Sequence, residues 1–205
     1  MGDVSAIMYR CFVAVIALLV TGCVQTATYY HPIASEGVHV DPGRGCTGPS
    51  ASYNFHVERG INGFISASVG QDSWGIYYGF ALEKGAKLKM LNPHIEIYSE
   101  KWEGLHTVRM PPFRLSVYGG LPNRQKGYIK YYEPLDELTY TGLNKKIDVD
   151  YLTKDSFQSS VTIDKDYPEA FTLKLPKMLA NGTKIQLPAI RFEYTEKRYL
   201  LTCIQ

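Results

Sequence analysis

From Tyr53 onward the chain repeats one pattern: short runs in which every second residue is apolar, cut by turns of glycine, proline and asparagine. Successive residues of a strand point to opposite faces, so this period marks strands with one buried face. Phe55 and Val57 alternate with polar neighbours, Arg59-Gly60 offers a turn, and Ile65, Ala67 and Val69 resume the pattern as a hairpin. Tyr78, Phe80 and Leu82 share a face, Glu83-Lys84-Gly85 turns the chain, and Ala86, Leu88 and Met90 continue it. Further runs fall at Ile95/Ile97, Phe113/Leu115/Val117, Val161/Ile163 and Phe171/Leu173/Leu175. Asn181-Gly182 is a strong turn signal, and Ile190, Phe192 and Tyr194 alternate after it. The expected class is all-β: an antiparallel β-sandwich, Ig-like or jelly-roll-like, with little helix and a β-barrel as the alternative. The 16 tyrosines and 8 phenylalanines agree, because aromatic rings suit a pleated, half-buried surface.

Two stretches break the pattern. Residues 24–52 are rich in Thr, Gly, Pro and Ser with little periodicity, so 23–52 reads as a tether ahead of a domain at 53–205. Residues 119–150 read as an irregular, Tyr-rich insertion carrying Tyr128, Tyr131, Tyr132 and Tyr140. That is long for a hairpin loop, and such insertions are commonly functional or structured in their own right. A short helix with a strand pair packed on the sandwich explains it equally well.

The N-terminus has a different character. Cys11 to Val20 is an unbroken run of ten uncharged, mostly apolar residues. At about 1.5 Å per residue it spans roughly half of a hydrocarbon core, which suits a signal-peptide core and not a spanning helix. It ends in Val20-Thr21-Gly22-Cys23, which resembles the lipobox of bacterial prolipoproteins. The resemblance implies cleavage after residue 22 and a diacylglycerol thioether on Cys23. Two or three acyl chains then hold the protein stably on a membrane. It further implies, with Val24 and not Asp after the lipidated residue, that in a two-membrane cell the protein is passed to the outer membrane, facing the periplasm, with the inner membrane as the alternative.

Cys11 leaves with the signal peptide and Cys23 carries lipid, which leaves Cys46 and Cys203. An exported compartment preserves disulfides, so Cys46–Cys203 is the expected bridge, with two buried thiols as the alternative. Closing so long a loop stabilises by up to about 5 kcal/mol in the chain-entropy model.

Chemical motifs are scarce. Gly43-Arg44-Gly45-Cys46-Thr47-Gly48 matches the dinucleotide pattern but lies in the tether ahead of Pro49, without the strand and helix the motif needs. His31, His39, His56, His94 and His106 form no helical metal pair. Asp148/Asp150 and Asp164/Asp166 do not continue into a calcium loop. Neither G-x-S-x-G, S-x-x-K nor C-x-x-C occurs. No metal or cofactor is expected, and 22 basic against 20 acidic residues give no reason to expect nucleic acid. Trp74 and Trp102 have polar neighbours, as in Gln71-Asp72-Ser73-Trp74. With Tyr131 and Tyr132 they are the candidate contacts for a glycan or a protein partner. A tryptophan folded back over the sandwich edge is the simpler reading. The expectation is a membrane-anchored, non-enzymatic envelope module that binds another protein. Glycan binding or processing is the rival, and a hydrolase with a dispersed site is a weaker third.

Overall fold

The computed structural model describes residues 24–33, 52–69, 73–117, 128–143, 154–163 and 166–200. Its regular elements are strands in three antiparallel sheets, none closed into a barrel. One sheet runs, in spatial order, β1 (Val24–Ile33), β15 (Ile190–Leu200), β12 (Ala170–Lys174), β6 (His94–Ser99) and β7 (Gly104–Arg109). The second runs β2 (Ser52–Glu58), β3 (Ile61–Val69), β4 (Trp74–Leu82), β11 (Asp155–Ile163), β8 (Phe113–Val117) and β9 (Tyr128–Tyr132). A smaller third sheet holds β10 (Glu137–Thr139), β5 (Lys87–Met90), β13 (Met178–Ala180) and β14 (Thr183–Ile185). Among the described residues the one helical element is a 3-10 turn, Glu100–Trp102, between β6 and β7.

The alternation places the core as expected. In β4, Trp74, Ile76, Tyr78, Phe80 and Leu82 are all buried. The five- and six-stranded sheets meet through aromatic rings. Tyr30 and Phe171 of the first sheet reach Trp74 of the second, with centroids 5.8 and 5.0 Å away. Leu88, Met90, Leu138, Met178 and Ala180 of the third sheet join the same hydrophobic cluster. Each large side chain removed from water there contributes about 1.5–3 kcal/mol before the entropy of ordering it is counted.

Turn chemistry is also where the alternation put it. β2 and β3 form the expected hairpin around Arg59-Gly60, with Gly60 at φ 74°. Asn181 and Gly182 both have positive φ, 50° and 88°, the backbone a two-residue hairpin turn needs. Asn181 does more than turn the chain. Its Oδ1 accepts the Lys87 amide at 2.9 Å and its Nδ2 donates to the Arg59 carbonyl at 2.9 Å. The small sheet is thereby stapled to the first hairpin.

The structure corrects two readings. Residues 24–33 are not tether: β1 pairs along its whole length with β15, from Val24↔Leu200 to Ile33↔Arg191. The β-branched and aromatic run Val24–Ile33 was diluted by the Gly- and Pro-rich residues that follow it. Pro32 is tolerated because β1 is an edge strand and needs to donate on one side only. The turn at Glu83-Lys84-Gly85 sends β5 away from β4 and into the third sheet, against β13 and β10. Second, the stretch 119–150 is not uniformly irregular. β9 closes the edge of the six-stranded sheet and β10 the edge of the small one. Between β10 and β11, buried Asp155 gathers the chain: its Oδ2 accepts from the Thr141 hydroxyl at 2.7 Å and the Gly142 amide at 3.3 Å.

Candidate functional site

Strand alternation decides what the five-stranded sheet shows to solvent. In β6, Ile95, Ile97 and Ser99 point inward, which turns Tyr98 outward. In β15, Ile190 and Phe192 are buried, which turns Arg191 outward. The register then aligns one residue from every strand: Ile33↔Arg191↔Thr172↔Tyr98↔Leu105. Three of these are large apolar or aromatic side chains left in water: Ile33 at 42%, Tyr98 at 50% and Leu105 at 60% exposure. Arg191 is steadied by Glu193, Nε to Oε1 2.9 Å.

Beside this row, at the end of the sheet, lies an open groove of about 450 Å³. Its walls include Tyr98, Glu100, Lys101, Tyr167, Glu169 and Arg191. The lining is charge-balanced, with two carboxylates and two cations.

The groove wall at 166–169 is irregular, yet four successive carbonyls are captured. Asp166 accepts from Trp102 Nε1 at 3.1 Å and Tyr167 from Lys101 Nζ at 3.2 Å. Pro168 accepts from the Tyr30 hydroxyl at 2.6 Å, and Glu169 from the Tyr194 amide at 2.7 Å. Donors from the 3-10 turn, β1 and β15 thus fix this segment against the end of the core. The Tyr167 ring packs on Tyr194 at 5.4 Å, with the Lys101 ammonium 6.0 Å from its centroid. Burial, reinforced by the neighbouring Tyr194 and Tyr167 hydroxyls, pushes Tyr30 far above the usual tyrosine range. Its hydroxyl stays protonated and keeps donating.

The residues singled out from the sequence do not converge on one site. Trp74 and Trp102 do meet, 5.4 Å apart, but not as a surface platform. Trp74 is 2% exposed, enclosed by Tyr30, Phe171 and Trp102. Trp74 is therefore no surface contact, and it lies not in a loop folded over the edge but at the start of β4, in phase with Ile76 and Tyr78; that phase outweighs its polar neighbours in sequence. Trp102 is half-buried, with its indole against Trp74 and His106. Tyr131 and Tyr132 point to opposite faces of β9. Tyr131 is 65% exposed on the outer face of the six-stranded sheet, while Tyr132 packs edge-on against Phe157 at 5.2 Å. Cys23, Cys46 and Cys203 lie outside the described residues, as do Asp148, Asp150 and Asp164.

Tyr98, Leu105 and Arg191 were not singled out from the sequence, although the phase of their strands announces them. Among the described residues no three His, Cys, Asp or Glu side chains are grouped to hold a metal. No protein-family model matches the chain, and no curated protein matches it in sequence.

Proposed function

We propose that this protein is a lipid-anchored module of the bacterial cell envelope that binds another protein through the outer face of its five-stranded sheet, without chemistry of its own. The observation that carries the reading is the exposed row Ile33–Arg191–Thr172–Tyr98–Leu105. Tyrosine and arginine flanked by aliphatic side chains are the composition of interface hot spots. The row is laid on a hydrogen-bonded sheet and not on a loop, so its backbone loses little conformational freedom on docking. The anchor is Cys23 of the lipobox Val20-Thr21-Gly22-Cys23. The location proposed is the periplasmic face of the outer membrane, with Cys46–Cys203 bridged.

A photo-crosslinking residue at Leu105 tests this in cells, with the same probe at His56 on the opposite sheet as control. Capture of one envelope protein from position 105, lost in Cys23→Ala and absent from position 56, supports the reading. Equal labelling from both positions overturns it.

A second reading has its own observation. Tyr98 and Tyr167 flank the 450 Å³ groove with two carboxylates and two cations, which suits a saccharide stacked on rings and hydrogen-bonded at its hydroxyls. The burial of Trp74 removes one of the residues that first suggested it. Soluble peptidoglycan fragments that protect the 98–101 and 167–172 peptides from hydrogen exchange would favour the glycan over the protein partner.

A further inference from the structure

The pairing of β1 with β15 has a consequence for how the molecule stands on its membrane. This step rests on the proposed acylation of Cys23. β12 leaves its register with β15 at Ala170↔Glu193. Past Tyr194, the sheet partner of β15 among the described residues is β1 alone, through Tyr29↔Thr195 to Val24↔Leu200. The sheet thus ends in a two-stranded ribbon of six residue pairs, roughly 20 Å long at about 3.4 Å per residue.

The residue before Val24 is Cys23. No linker separates the lipid from the ribbon, so the tip of the ribbon is held at the bilayer. Read from the tip inward, the residues change in a definite order. Val24 is opposite Leu200, an apolar pair. Gln25↔Tyr199 follows, with an aromatic residue of the kind that favours membrane interfaces. Thr26↔Arg198 and Ala27↔Lys197 then bring two consecutive basic residues. Glu196 comes next, opposite Thr28. The basic positions stand two and three residues from the tip, roughly 7–10 Å at strand rise. The headgroup layer of one leaflet is about 5–8 Å thick. Apolar, aromatic, basic and acidic residues therefore succeed one another as acyl chain, interface, headgroup and water do.

We infer that the β1/β15 ribbon is a membrane-docking foot, in which Lys197 and Arg198 bind anionic lipid headgroups while the acylated Cys23 anchors the tip. The domain then stands upright on the ribbon at a set orientation instead of swinging on a tether.

The test uses the purified, full-length mature protein, with its mass establishing whether Cys23 is acylated. It is placed in phosphatidylcholine vesicles with or without 30 mol% phosphatidylglycerol, doped with a lipid carrying a photoactivatable headgroup, at a level chosen as about one lipid in a hundred, and crosslinked peptides are mapped. Crosslinks concentrated in 24–29 and 195–200, enhanced by phosphatidylglycerol, are the expected result. In Lys197→Gln/Arg198→Gln the docked-to-undocked ratio falls about 30-fold, from about 1 kcal/mol per basic residue near a charged surface. Raising the salt to molar level removes the enhancement from the wild-type protein, which keeps the test decisive should the variant misfold. Acylated protein whose crosslinks are spread over the domain, or indifferent to phosphatidylglycerol, overturns the foot and leaves the lipoprotein reading standing. Protein without acyl mass on Cys23 overturns both.

Discussion

The two large sheets each carry a row of residues across their outer faces, and the rows are built on opposite principles. On the six-stranded sheet the row is Asn54↔Phe64↔Gly79↔Gln158↔Arg114↔Tyr131. Across the middle of this row the surface covers itself, while Tyr131 at the edge strand stands 65% exposed. Phe64 lies over Gly79, where a Cβ would stand 2.6 Å from its ring. The same ring packs on Tyr77 at 5.3 Å, and the Tyr77 hydroxyl donates to Gln158. On the five-stranded sheet, Tyr98 and Leu105 have no glycine beneath which to fold and stand out in water. A ring that closes over its own backbone shields strand hydrogen bonds and is unavailable to a partner. A ring over a strand that already carries a side chain is left for something else. That difference at the centre of the two sheets is why the five-stranded sheet is the one proposed as the binding side.

The comparison can be broken by substitution, and the largest effect belongs to neither outer face. Trp74→Ala, in the layer between the sheets, is expected to cost about 3–5 kcal/mol in urea unfolding, as other buried tryptophan truncations do. A cost below 1 kcal/mol would return Trp74 to the surface and reopen the platform reading. Next come the inward tyrosines. Burial pushes the Tyr78 hydroxyl up to about 12, with Ser159 pulling slightly the other way, and Tyr30 rises further. The unfolded chain ionises near 10 while the fold holds both groups neutral, so their contribution is complete below pH 10 and is lost as pH rises through about 12. Tyr78 alone accounts for on the order of 2–3 kcal/mol of that loss. Unfolding midpoints measured between pH 8 and 12 should fall steeply, and less steeply in Tyr78→Phe.

Gly79→Ala addresses the self-covered face directly. The new methyl meets Phe64 and, 2.7 Å away, the Phe157 carbonyl, so about 1–3 kcal/mol of overpacking is expected. Thr172→Ala, in the middle of the other row, should stay within about 0.5 kcal/mol. Equal costs would mean that the two faces do not differ as argued. The smallest stability effect is expected from Tyr98→Ala with Leu105→Ser, again about 0.5 kcal/mol or less for each substitution, combined with loss of partner capture from the five-stranded face. A folded double variant that captures the partner undiminished would move the binding site elsewhere.

Much of the fold was readable because its signals are local. The hairpin at Arg59-Gly60 and the turn at Asn181-Gly182 need only the residues that form them. What escaped was non-local or diluted. Nothing near Lys87–Met90 says that its neighbours in the sheet are β13 and β10, since the turn before it is equally compatible with a hairpin. β1 was lost because composition was averaged over a window in which its ten residues were the minority. For the site, the phase of His94-Ile95-Glu96-Ile97-Tyr98 already aims Tyr98 outward. Tyr167 could not be found that way, because 166–169 has no period at all. Its place is set by the four donors that reach its carbonyls from distant parts of the chain.

The pairing of the first described strand with the last also has a meaning in time. Tyr30 donates to Pro168, 138 positions later, and every ladder bond of β1 is to β15. A chain that crosses a membrane from its N-terminus presents β1 first, and that strand then waits, its edge unpaired, until the rest has followed. Contacts so distant in sequence close slowly. An unpaired strand is open to any other strand it meets. In a chain exported as proposed, the first sheet would be completed only after β15 had crossed, and the interval before that is when a holding chaperone would matter most.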